Sequence, residues 1–447
     1  MIVKTISSSA RRWCGLLVLL WVGSLLAHAE IPNPFPAGEL HEFTLPNGLR
    51  LVVKEDHSLP ITAMVVTVHG GASVDGNTPG AGHYCEHLVL QGTRHYPGRL
   101  APQDALERAG GVSEATTTRD MTRFQATVVS SQVRLLVDVL ADVVGAPTLD
   151  EDNFDHERPT ILAEIQQEAD SPLFALLNAG YAASYPTHPY RLRPSGTIED
   201  ILKLHVDDVR AYYRRWYVPN NLSVVLVGDI TAPRALELVT RAFGAAKSTA
   251  VPDWPDMDPT PAKTVSGHYP TAQPDTYQLL VFPAPAYSDF SATVATDVLM
   301  SLLTDGNEAL LPARWIRDGI SVTNFGAEFV SARQPGRIML WAETPPAAAE
   351  KLKRSTLALL AELAAGNIPA AGLAAAKQRL GTHLLLDNET YSQQAVTLAF
   401  YEGLGGMQPI SRYLPSVLAL TSAQLQAGVP TKPLAWITMG QRPEGGE

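Results

Sequence analysis

Apolar residues alternate or run together in some stretches of this chain and recur every three to four positions in others, and the change of period marks out its elements. ITAMVVTV at 61–68 is a nearly continuous apolar run leading into the polar, glycine-rich HGGASVD, and is predicted as a strand ending in a turn. EFTLPNGLRLVVKE reads as a hairpin in which Asn47-Gly48 supplies the positive φ angles of a tight turn. SSQVRLLVDVLADVVGAP and HVDDVRAYYRRWYVPNN carry apolar positions at helical spacing. The first has a serine as its N-cap candidate, and Pro219 stops the second.

Periodicity fails over residues 246–275, where six prolines punctuate AKSTAVPDWPDMDPTPAKTVSGHYPTAQPD, and the stretch is predicted to be a linker between residues 30–245 and 276–447. The two sides resemble each other in order. TYQLLVFPAPAYSD at 276–289 is the counterpart of the strand and turn at 61–75, and LAWITMGQR at 434–442 that of LSVVLVGDI at 222–230. Two pairs at nearly one offset imply an internal duplication. Strands and helices mix without the strict βαβ alternation of a doubly wound sheet, so the expected class is α+β, with two similar domains joined by the proline-rich linker.

The N-terminus follows another rule. Lys4, Arg11 and Arg12 precede the apolar WCGLLVLLWVGSLL, and Ala27-His28-Ala29 reads as a small-residue cleavage site. Residues 1–29 are expected to be a signal peptide cleaved after Ala29, which places the mature chain in a periplasm or outside the cell. The run is too short to predict a membrane span, and no second candidate comes after it. The whole chain has a net charge of -11, and losing three leader cations makes it more acidic, a poor partner for nucleic acid. Of the two cysteines, Cys14 leaves with the leader. Cys85 alone cannot make an intramolecular disulfide, so the fold rests on its core.

Candidate chemistry concentrates in PGAGHYCEHLVLQGT. After the breaker PGAG, HYCEHLVL can run as a helix in which His83 and His87 stand at i and i+4 and Glu86 lies beside their face. Two imidazoles so placed can chelate one metal ion and suit zinc, which as a catalyst needs a further protein ligand and an open position for water. A neighbouring carboxylate can take that water's proton. Without a third ligand the same pattern describes a helix with a polar, wet side. DEDNFDHERPTILAEIQQEADSP offers Glu157, Glu164 and Glu168 on one helical face opposite Ile161, Leu162 and Ile165, a pattern equally expected of a solvated acidic face. The spacing does not choose among the three.

HxxEH is the inverted zinc motif of the pitrilysin and insulinase peptidases, the family of the mitochondrial processing peptidase β-subunit, and the chain resembles that family over most of residues 38–230. GAGHYCEHLVLQGTRHYPG is similar to the family's Gly-x-x-His-x-x-Glu-His-x-x-x-x-Gly-Thr block. GGVSEATTTRDMTRF resembles its Gly-Gly…Ala-x-Thr…Thr-x-Tyr segment, and ERPTILAEI its third-ligand motif. HPYRLRPSGT and YYRRWYVPNNLSVVLVGDI match later blocks, while the second half resembles the family weakly. The resemblance implies two α/β-roll domains and one zinc ion per chain, held by His83, His87 and Glu164. It implies Glu86 as general base and Glu157 as a group that orients the site. Peptide substrate would add to an edge strand within SEATTTRDMTRF, against Glu114, Ala115 and Thr116. The implied activity is that of an exported zinc metalloendopeptidase for short or unfolded peptides; the alternative is a non-catalytic assembly subunit that keeps the zinc site.

The chain also departs from the family. Glu114 stands where Asn is usual and Phe124 where Tyr is usual. Pro159 falls between Glu157 and Glu164, where it disturbs the helix unless it lies in the first turn. Cys85 is expected to pack rather than ligate. Active single chains of the family carry, in the second half, an Arg and a Tyr seven residues later that hold substrate. In NEALLPARWIRDGISVTNFGAEF, Arg314 fits the first role but position 321 is Ser; Arg317 is the alternative, with Asn324 seven residues on. Neither pair is complete, so the chain is expected to be the zinc subunit of a heterodimer whose homologous, inactive partner supplies the Arg/Tyr pair. His69, His95 and His188 are expected to be structural or solvent-facing.

Overall fold

The structure is a computed structural model that describes residues 31–36, 38–257, 263–407 and 409–441; the expected leader, 1–29, lies outside the described residues. The first half builds a sheet in the order β1-β2-β6-β3-β5-β4. Its strands are β1 (Leu40–Thr44), β2 (Arg50–Glu55), β3 (Ile61–Val68), β4 (Val112–Thr117), β5 (Thr122–Val129) and β6 (Leu222–Gly228). Asn47-Gly48 turns β1 into β2, but only Gly48 takes the predicted positive φ, at 86°: the turn closes from the Gly48 amide to the Leu45 carbonyl, and the Asn47 side chain donates to the Phe243 and Ala246 carbonyls.

The second half repeats this arrangement in the order β7-β11-β8-β10-β9, with β7 (Val265–Pro270), β8 (Thr276–Pro283), β9 (Asn324–Phe329), β10 (Arg337–Thr344) and β11 (Ala435–Gly440). In each sheet one parallel pair, β2 with β6 and β7 with β11, is succeeded by antiparallel neighbours. The duplication inferred from two strand pairs thus extends over five strands. β7 lies inside the stretch predicted as linker. It is an edge strand with no buried residue, so it carries no apolar alternation, and Pro270 ends it where no ladder bond is lost.

Helices of the first half are α1 (Ala81–Val89), α2 (Ala101–Arg108), α3 (Val133–Gly145), α4 (Glu151–Ala169), α5 (Pro172–Ser184), α6 (Ile198–Lys203), α7 (Val206–Trp216) and α8 (Ala232–Phe243). Those of the second are α9 (Phe290–Thr304), α10 (Leu310–Arg317), α11 (Ala349–Ala364), α12 (Ala370–Leu386), α13 (Tyr391–Leu404), α14 (Ile410–Ala419) and α15 (Ser422–Gly428). The serines before α3 form a 3-10 turn, and Gln132 takes the cap position without a side-chain bond. Pro159 sits in the interior of α4 rather than its first turn. It is exposed, so the carbonyl it leaves unpaired can turn to water.

Alternation along β3 separates two cores. Met64, Val66 and Val68 join Tyr84, Leu88, Val137 and Leu140, from α1 and α3. Ala63 and Val65 join Leu398 and Ala399 of α13, a helix of the second half. The first half reciprocates through α5, whose Leu176 packs on Leu279, Val281, Met339 and Ile437 of the second sheet. Gly180 makes that approach possible, since a Cβ there would lie 2.4 Å from Leu279 Cδ2. Each sheet is therefore covered on one face by its own half and on the other by a helix of its twin. Leu398→Ala should destabilise the whole unit by about 2–5 kcal/mol, read as one cooperative denaturant transition; a first half that unfolds as before would show α13 to be dispensable.

Candidate metal centre

The start of α1 is held from outside. Gly80 turns into the helix at φ 85°. The Asp75 carboxylate accepts from the amides of Gly80 at 2.7 Å and Gly82 at 2.9 Å, which satisfies donors that a helix N-terminus leaves open. A Cβ on Gly82 would meet Tyr212 Oη at 2.9 Å and Asp75 Oδ1 at 3.0 Å. On the core side Tyr84 donates to the Phe154 carbonyl and stacks on the Phe154 ring at 4.3 Å, fastening α1 to α4. Cys85 is buried among these groups, and burial pushes its thiol pKa up.

That fastening brings α1 and α4 side chains together. The Nε2 atoms of His83 and His87 lie 3.7 and 3.3 Å from one oxygen of Glu164, and the two rings are 4.8 Å apart. One donor atom from each of His83, His87 and Glu164 lies within 4.8 Å of the others, and no other such metal-competent group occurs among the described residues. Glu157 is buried and sits 3.3 Å from His87 Nδ1. Glu168 instead accepts from Ser195 Oγ at 2.7 Å. The acidic face of α4 is thus not the solvated one its spacing also allowed: Glu157 is buried with Ile161 and Ile165, and Glu164 alone of the three converges on both histidines.

Burial lowers the affinity of both imidazoles for a proton, but the outcome differs. For His87 the hydrogen bonds to Glu157 and Glu164 outweigh it and raise the pKa to about 10. For His83 burial, then the charge of His87, pulls it down to about 4. The His87 hydrogen bond in turn lowers Glu164. Burial raises Glu86, with Thr117 at the end of β4 opposing the shift. His83 Nδ1 and Glu86 Oε2 are buried with no hydrogen-bond partner. Two nitrogens and a carboxylate converging beside an unsatisfied carboxylate oxygen suit a tetrahedral zinc site with one position open. A metal must displace the proton His87 carries below pH 10, so zinc affinity should climb about tenfold per pH unit across neutrality. A competition titration at stepped pH checks this; a flat profile would mean that the metal-free chain does not hold a proton on His87 at neutral pH.

β4 borders the site and has a neighbour on one side only. Ala115 stands opposite Phe124, facing the α1 side, while Glu114 and Thr116 stand opposite Gln125 and Arg123 on the other face. Gln125 donates to Glu114 at 2.8 Å. Arg314 is not brought to this region by any hydrogen bond: it donates to Asp318, the C-cap of α10, at 2.9 Å and to Glu362 of α11 at 2.7 Å. Among the histidines set aside, His69 contacts Ser223 Oγ at 3.0 Å, His95 pairs with Asp142 and His188 accepts from the Tyr190 amide. Asp75 and Thr117 escaped the sequence reading. The signal for Asp75 was an acid a few residues before a glycine-rich helix start; Thr117 left none.

Comparison with known proteins agrees with this architecture. The chain is similar to the Helicobacter pylori zinc protease PqqE, 26% identical over 431 residues that span 93% of this chain and 95% of that one. It is also similar to a probable mitochondrial-processing peptidase subunit beta of Arabidopsis thaliana, 26% identical over 208 residues; that match spans 46% of this chain and 39% of the plant protein. The crystal structure of a protease from Helicobacter pylori superposes with a TM-score of 0.82 at 23% identity, covering 91% of this chain and all of that one, and shares its fold. The family model for insulinase (peptidase family M16) matches residues 50–192, and that for the peptidase M16 inactive domain residues 203–380. With the first of these laid over His83, Glu86, His87 and Glu164 and the second over most of the remaining chain, the protein belongs to the insulinase family, peptidase family M16.

Proposed function

We propose that the chain is a zinc metalloendopeptidase acting on extended peptides. The observation that carries this is the convergence of His83, His87 and Glu164 beside the buried, unsatisfied carboxylate of Glu86, next to an open sheet edge. Zinc held by the three ligands would supply Lewis acidity toward a water and the scissile carbonyl. Glu86, whose proton affinity burial raises, takes a proton from the attacking water. As it does so the water oxygen bonds to the carbonyl carbon, and the proton then passes to the departing amide nitrogen as the C–N bond breaks. Glu157 accepts from His87 Nδ1 and so keeps Nε2 turned to the site. The free edge of β4 binds the substrate through main-chain hydrogen bonds, which favours unfolded segments over any one sequence.

Two further readings belong to this proposal. Residues 1–29 direct export, so the mature protein should begin at Glu30, which N-terminal sequencing of the exported product tests. The chain works with a homologous partner that supplies an Arg/Tyr pair. The absence of a Tyr seven residues after Arg314 or Arg317, and a relative named as a subunit, support this. The test is digestion of an unstructured peptide library by the mature chain, alone and with such a homologue, with and without chelator. Chelator-sensitive cleavage restored by zinc supports the peptidase; a zinc-loaded chain inert in both settings would leave the assembly-subunit reading in its place.

A further inference from the structure

Arg123 has no use in this mechanism, and its surroundings are unusual for an arginine. It stands on β5, with Thr116 of β4 opposite on one side and Thr67 of β3 on the other. Its side chain points to the face away from α1, is half-buried, and its Nε is buried without a hydrogen-bond partner. Among the described residues it makes neither an ion pair nor a hydrogen bond, whereas Arg333 and Arg379, whose Nε atoms are likewise unpartnered, still donate to the carbonyls of Gly403 and Ser301. Burial lowers its pKa, and the single carboxylate that opposes this, Glu114, is held by Gln125 at 2.8 Å. A guanidinium taken from water without a partner is unfavourable unless something else pairs with it.

The guanidinium borders an open cavity of about 290 Å³, lined by Leu384 of α12, Val396 and Tyr401 of α13 and Tyr413 of α14, together with the exposed His383 and Asp387. An occupant is already implied if β4 docks peptide, and the inference rests on that reading. A strand added to β4 lies two inter-strand spacings, about 10 Å, from β5. An extended arginine and a glutamate side chain bridge that distance together. Peptide side chains alternate between faces: half point toward α1 and the metal ligands, and half pass over Glu114 and Thr116. We propose that Arg123 forms a carboxylate subsite, which selects a glutamate or aspartate side chain at the peptide position in register with Thr116. Glu114, two residues along on the same face, repels an acid at its own position, so the preference is confined to one place in the peptide. Thr117, the residue after Thr116, lies against Glu86, which puts the selected acid close to the cleaved bond.

The test uses the full mature chain, zinc-loaded and carrying Glu86→Gln so that peptide is not consumed. C-terminally amidated fluorescent peptides, scanned with a single Glu or Gln, are titrated by anisotropy; amidation leaves side-chain carboxylates as the anionic groups. At one position Glu should bind about tenfold or more tighter than Gln, as a charge-assisted bond predicts. Added salt should narrow the ratio, and it should fall toward one in Arg123→Met. A ratio near one at every position, a ratio that survives Arg123→Met, or no binding by any peptide overturns the subsite. Should Arg123→Met fail to fold, the ratio in its parent decides. Chelator-sensitive hydrolysis by the unsubstituted chain, alone and with a homologous partner, is measured in parallel. Hydrolysis without discrimination sinks the subsite alone, and discrimination without hydrolysis sinks the peptidase reading alone.

Discussion

Glu86→Gln should leave the chain folded and metal-loaded while lowering peptide hydrolysis by about 10²–10⁴-fold. Glutamine matches glutamate in shape and keeps its place on α1, but it cannot hold a proton taken from water. The carboxylate is buried and one of its oxygens has no partner, so the neutral amide brings no loss of an ion pair to the fold. The ligands His83, His87 and Glu164 are untouched. Turnover number and bound zinc should be measured on the same preparation. Undiminished turnover would remove Glu86 from the chemistry, and loss of zinc would make it a ligand instead of a base.

The second large effect distinguishes three glutamates that lie on one helix. Glu164→Ala removes the only anionic donor of the cluster and should abolish stable zinc binding. Glu157→Gln weakens the support of His87 and should cost about 10–100-fold in affinity. Glu168→Ala breaks a bond to Ser195 and should leave zinc binding as it was. Competition titrations with a chromophoric chelator, beside circular dichroism to confirm folding, resolve the order. If Glu168→Ala lost the metal as Glu164→Ala does, the ligand assignment would fall. The series matters because the three residues cannot be ranked by spacing; their ranking comes from where α4 lies against α1.

That division between local and non-local information runs through the protein. The tight turn at Asn47-Gly48, the central strand β3 and the i, i+4 relation of His83 and His87 are each contained in a short stretch, and each was legible there. A turn dipeptide, a run of apolar residues and a helical spacing act through neighbours along the chain, so the sequence alone determined them, and with them the α+β class and the duplicated order of strands. β7 was not legible, because an exposed edge strand buries no residue and so leaves no apolar alternation. Neither was the exchange of α5 and α13 between the sheets. Periodicity records that a face is buried but not what buries it, and Leu398 meets Val65 across more than 300 residues of chain. The same holds at the metal cluster. Glu164 became distinct from Glu157 and Glu168 when the Tyr84–Phe154 contact fixed α1 on α4. Asp75 became a cap when its carboxylate met the Gly80 and Gly82 amides, and Arg123 became unusual when the fold half-buried it without an ion pair or hydrogen bond. Tertiary structure decided these because burial and charge pairing depend on distance in space, which spacing along a chain constrains only within one element.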